Sequence, residues 1–140
     1  MPPSSLAITI AERVLGPDLH TAEATLAAVR AAHERLESEM SPVVGKQGFE
    51  ATFARCVSKS RGSHPALEQA RKGDPAQLAE RLWPCLETLS PADTRAVGVE
   101  LMGRFFDLMS TFIGADLTLK LFHRACPNAG LSTLAVSEIG

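Results

Sequence analysis

Apolar positions along this chain recur at spacings of three and four, the mark of helices with one face turned inward. The most regular run is Leu15, Leu19, Ala22, Leu26, Val29, His33, Leu36 and Met40, one stripe of a helix expected from about residue 18 to residue 39. Ahead of it, Ser4 or Ser5 caps a short helix through Leu15, which Gly16 stops and Pro17 punctuates. Ser41-Pro42 reads as a third helix start, with Ser41 capping and Pro42 in the first turn, where its missing N–H costs nothing. Val44, Phe49, Phe53, Cys56 and Val57 would face inward from it. Gly45 and Gly48, three residues apart early in that helix, imply a close helix crossing.

The stretch Ser58 to Pro65 ends this helix in a basic, serine-rich loop. Asp74 then caps a helix from Pro75, with Leu78, Leu82, Leu86 and Leu89 on one stripe, and Pro84 should kink or split it near Trp83. Ser90 caps the next helix, whose Val97, Leu101, Phe105, Leu108 and Phe112 point inward until Gly114 bends or ends it. A last helix, from Asp116 to about Ala125, contributes Leu117, Leu121 and Phe122 and stops before Pro127. Strand-like alternation is absent, and no internal repeat stands out at a fixed period. The expectation is an all-α fold, an irregular antiparallel bundle of five or six helices over residues 1–127, with residues 128–140 a disordered tail.

Composition narrows the function classes. The 140 residues suit one domain, and 45% apolar with 21% charged residues is the globular average. Cys56, Cys85 and Cys126 are odd in number and widely spaced, which fits neither a disulfide framework nor a zinc site and suggests a reducing compartment. No apolar run is long enough to span a bilayer, and the first ten residues carry no positive charge, so a cytoplasmic protein without a signal peptide is expected. The net charge of −2 is unevenly spread. Between Lys46 and Lys72 six basic residues face two acids, a local net of +4, which leaves −6 on the rest.

Catalytic and cofactor signatures are missing. There is no nucleophile elbow, no phosphate-binding glycine loop and no Glu-x-x-His pair for a di-iron site, and Arg104 lies between Glu100 and Asp107 on a face expected to be solvated. His64 and His123 are poorly placed for haem ligation. No enzyme, metal or cofactor is expected. His33 lies in A-A-H-E-R-L-E, which faintly resembles the phospho-acceptor box of sensor kinases. However, Leu36-Glu37-Ser38 replaces the usual continuation, and the imidazole falls on the apolar stripe.

What remains is recognition. Arg55, Lys59, Arg61, His64, Arg71 and Lys72 form a candidate docking surface for an acidic or phosphorylated protein partner. Nucleic acid is disfavoured, because no aromatic residue is interleaved with these charges. The alternative is a sensor or carrier with an apolar pocket among Phe49, Phe53, Phe105 and Phe112. Phosphotransfer through His33 is a third reading. The Leu19 to Met40 stripe could serve as a homodimer seam, with Glu23, Arg30 and Glu37 as flanking charges, although in a small chain it more often faces its own core.

Overall fold

Two helices of equal length frame the molecule. The computed structural model describes residues 2–131 and residue 134. It has six α-helices: α1 (Ser5–Leu15), α2 (Ala22–Val44), α3 (Lys46–Ser60), α4 (Leu78–Glu87), α5 (Pro91–Ile113) and α6 (Ala115–Ala125). No strand is present among the described residues. The all-α bundle expected from the apolar spacing is the fold observed. The stripe from Leu26 to Met40, His33 included, is buried against the chain's own helices in one continuous core, so it is not available as a dimer seam.

Caps set the boundaries. The Ser4 hydroxyl accepts the Ala7 N–H at 3.2 Å, Thr21 that of Ala24 at 3.1 Å, and Ser90 that of Asp93 at 3.1 Å. α2 runs past Ser41-Pro42, against the expected break. Pro42 falls in the last turn, where the Ser38 carbonyl that loses its partner is exposed to water. The break comes at Gly45, whose φ of +84° suits glycine and whose N–H closes on the Ser41 carbonyl at 2.8 Å. Pro84 does not split α4 either, since it and Glu80, one turn earlier, both face solvent.

The α5–α6 corner repeats the α2–α3 corner. Gly114 has φ +89° and ψ 150° against +84° and 153° at Gly45, and its N–H closes on the Ser110 carbonyl. The match extends along the chain at a constant offset of 69 residues. It pairs Thr25 with Thr94, Arg35 with Arg104, Met40-Ser41 with Met109-Ser110, Phe53 with Phe122 and Arg55 with Arg124. It also pairs all 23 residues of α2 with all 23 of α5. An internal repeat therefore exists, contrary to the sequence reading. It hides because conservative or radical replacements fill most positions between the matched ones.

Packing follows the same rule. α1 lies on α5 and α4 on α2, while α3 packs on α5 and α6 on α2. This exchange of partners is the one that an approximate two-fold axis relating α1–α3 to α4–α6 would give, as in an isologous dimer. On that axis a residue meets its own counterpart. Val29 and Gly98 are such a pair, and a Cβ on Gly98 would stand 2.7 Å from Val29 Cγ2. The close approaches are thus at Gly98, and at Gly103 beneath Pro3, not at Gly45 or Gly48.

Ser4 and Gly130, near the limits of the described residues, are both tied to helices. The Ser4 N–H and hydroxyl each bond Asp107 at 2.8 Å, and the Arg13 guanidinium donates to the Gly130 carbonyl at 2.9 Å. Leu131 is fully buried; of the expected tail over residues 128–140, residues 132–133 and 135–140 lie outside the described residues.

Candidate functional site

The six basic-segment residues do not act as one surface. Arg55 and Lys59 stand exposed on α3, and Lys72 is exposed beyond it; none of the three has an ion pair among the described residues. Arg61 and Arg71 close on Glu68 from two sides, at 3.1 and 2.7 Å. The hydrogen bond from Arg71, with that from Arg61, holds the Glu68 carboxyl down at about 2. His64 turns away to Glu100, with Nε2 at 3.4 Å from Oε1, and Arg104 Nε holds the other oxygen at 3.2 Å. These three side chains are only 12–20% exposed, so the face of α5 carrying Glu100 is a built network and not the solvated surface expected.

The phenylalanines pack on one another. Phe105 meets Phe49 at 5.2 Å, Phe53 at 6.2 Å and Phe122 at 6.1 Å between ring centres, filling the space where a core pocket was expected. Phe112 is not part of the set. It is 58% exposed, because it lies two residues before the Gly114 corner, beyond the reach of the described helices. Leu117, just after that corner, is 40% exposed for the same reason. Phe106, with its ring 5.3 Å from Phe122, takes the core role.

His33 is 7% exposed and edge-on to Phe49, Phe53 and Trp83, at 5.4, 4.6 and 5.5 Å. Burial pulls its pKa down to about 4, so the ring is neutral at pH 7. A phospho-acceptor must meet its donor in the open, and this imidazole does not. Burial likewise pushes the Cys56 thiol up to about 12, which leaves it unreactive. Among the described residues, no group of three or more His, Cys, Asp or Glu side chains is placed to hold a metal.

Concavity is found elsewhere. A cleft of about 860 Å³ opens between α1 and the first half of α5. Pro91, Ala92, Ala96 and Val99 form its α5 wall, and Pro3, Ile8 and Leu19 lie opposite. Two ion pairs flank it: Arg95 holds Asp18 at 2.7 Å on one side, and His64 holds Glu100 on the other. A second groove of about 590 Å³ lies between α2 and α4. It uses Ala22, Glu23, Leu26, Ala27, Arg30 and Ala31, the residues equivalent to Pro91, Ala92, Arg95, Ala96, Val99 and Glu100 of the first.

No family model, curated protein or solved structure matches the chain.

The two grooves are thus one site present twice and diverged in lining. Where the α5 copy has Ala92 and Val99, the α2 copy has Glu23 and Arg30, with Glu34 and Glu87 adding acid. The Arg30 guanidinium is drawn off over the Trp83 ring, 5.5 Å from its centre. Neither groove was legible from the sequence, because each needs two helices from opposite halves. The repeated Thr/Ser caps and M-S-x-x-x-G corners were the signal that marks them as equivalent.

Proposed function

We propose that the protein is a non-enzymatic helical binding module whose α1–α5 cleft takes a small, mostly apolar, uncharged molecule. The carrying observation is the cleft itself. At about 860 Å³ it falls within the size range of small-molecule sites, and its charges are paired within the protein. His64 engages a carboxylate and not a hydroxyl or thiol, and the Ser90 hydroxyl is occupied as a cap, which supports binding over catalysis. The free cysteines, two of them buried, suit a reducing compartment, and we place the module in the cytoplasm. No helix among the described residues is long and apolar enough to cross a membrane.

Titration with the neutral fluorophore N-phenyl-1-naphthylamine tests this. We expect saturable binding that Ala96→Asp weakens by about tenfold, since a charge would be placed on the apolar wall. Ala27→Asp, at the equivalent position of the other groove, should leave it unchanged. Absence of saturation, or equal losses in both variants, would overturn the assignment.

One observation favours a second reading, the docking of an acidic or phosphorylated protein through Arg55, Lys59 and Lys72. Arg124, the counterpart of Arg55, is bound to Glu39 at 3.3 Å. The counterpart of Glu39 is Leu108, which offers Arg55 no charge. Arg61 and Arg71, steadied by Glu68, keep further N–H donors for a partner. A glutamate-rich phosphopeptide should bind with steep salt dependence, about tenfold more weakly to Arg55→Glu/Lys59→Glu. An unchanged Kd in that variant sinks this reading.

A further inference from the structure

We propose that the recess between α2, the start of α3 and the Pro75–Glu80 segment is a binding site for a small organic cation of the alkylammonium type. The recess holds about 230 Å³ and lies apart from both grooves. His33 and Glu37 enter it from α2, Lys46, Phe49, Glu50 and Phe53 from α3, and Glu80 from α4.

Comparison of the two halves singles it out. His33, Glu37, Lys46 and Glu50 correspond, at the 69-residue offset, to Met102, Phe106, Ala115 and Leu119. Four polar positions in one half are four apolar positions in the other, on equivalent helices. In the second half Met102 and Phe106 are buried and Leu119 packs against the core. Stability is therefore served by apolar residues on this framework, and the polar set has another use.

The equivalent place on α5 is closed. There Gly103 lets Pro3 approach, and Asp107 ties down Ser4, so α1 closes the gap. On α2 the residue matching Gly103 is Glu34, which is exposed and lines the α2–α4 groove.

The chemistry of the lining selects a cation. Three carboxylates face one ammonium, a net of two negative charges. Phe49 and Phe53, nearly parallel at 9° with centres 6.1 Å apart, give the recess an aromatic wall. His33 is more than nine-tenths buried, lines the recess and has no hydrogen-bond partner among the described residues. A ring nitrogen without a protein partner can accept an N–H from a ligand that enters the recess. A metal ion fits less well, for want of three converging ligands among the described residues.

Trp83 is the only tryptophan, and its ring lies 5.5 Å from His33, so its fluorescence reports on the recess without a label. Titration of the full chain with ethylammonium chloride should give a saturable change that sodium chloride at equal ionic strength does not. Glu37→Gln/Glu50→Gln, nearly isosteric and checked for fold by circular dichroism, should weaken it by about tenfold. The same variant should bind N-phenyl-1-naphthylamine normally, which keeps this site separate from the cleft. A response to sodium acetate in place of ethylammonium, no saturation, or an unchanged midpoint in the double variant would overturn the proposal.

Discussion

Acidification from pH 6.5 down to about 4 should cost the fold about 3 kcal/mol through one side chain, His33. The buried imidazole takes a proton only near 4, whereas in the unfolded chain it does so near 6.5. Above 6.5 both states are neutral there and the term vanishes. Between the two values the unfolded state binds the proton and the folded state does not, so stability falls as pH falls. Below 4 both are protonated and the loss levels off. Urea unfolding at a series of pH values measures this directly. His33→Met places there the residue that the second half carries at Met102, and it should flatten this part of the profile. Glu68 acts in a different window. Its carboxyl, held down at about 2 by Arg71 and Arg61, loses its contribution as pH falls from 4.5 towards 2, below the His33 window. Equal losses by wild type and His33→Met between 6.5 and 4 would rule out His33 as the source.

Gly98→Val should destabilise the protein by about 3 kcal/mol, through overpacking where α2 and α5 cross. Even a Cβ would lie 2.7 Å from Val29 Cγ2 and 3.0 Å from Leu15 Cδ1. Leu15 offers the far end of a flexible side chain and can give way. Val29 is β-branched and held to one rotamer within a helix, so the backbones must separate. Because the two positions are counterparts across the two-fold axis, the exchange Val29→Gly/Gly98→Val restores one small and one large residue. It should recover most of the loss, and a double-mutant cycle reads this as a strong favourable coupling. Simple additivity of the two single losses would refute the crossing geometry. Gly48→Ala is the control: its Cβ meets only the Val44 side chain, at 3.5 and 3.7 Å, so it should gain roughly 0.5–1 kcal/mol from helix propensity.

The asymmetry between the halves carries most of the functional content. Each half places the same groove on its long helix, yet one is apolar and the other acidic. Each half has the same α2–α3 or α5–α6 elbow, yet one carries His33, Glu37 and Glu50 where the other carries Met102, Phe106 and Leu119. A duplicated framework supplies stability twice, which leaves one copy able to carry polar groups that a lone copy could not.

By itself the sequence determined the helices. Spacing of three and four, hydroxyl caps at Ser4 and Ser90, and Gly16 and Gly114 as stops act within a turn or two of chain, and each is found where expected. It also assigned much of the core face, His33 included, because helical periodicity gives a direction. It misplaced the α2–α3 boundary, since Pro42 and Gly45 both break helices and only the cost in the last turn decides between them. Tertiary structure decided the rest. Phe112 follows the stripe yet emerges into solvent, because periodicity gives a direction but not where the partner helix ends. The charges of the basic segment are adjacent in sequence, but the approach of Glu68 and Glu100 divides them into two clamps and an exposed remainder. The cleft, the groove and the recess each lie between helices of opposite halves. Their existence depends on how closely α1 and α4 approach α5 and α2, which on the α5 side Gly103 permits beneath Pro3.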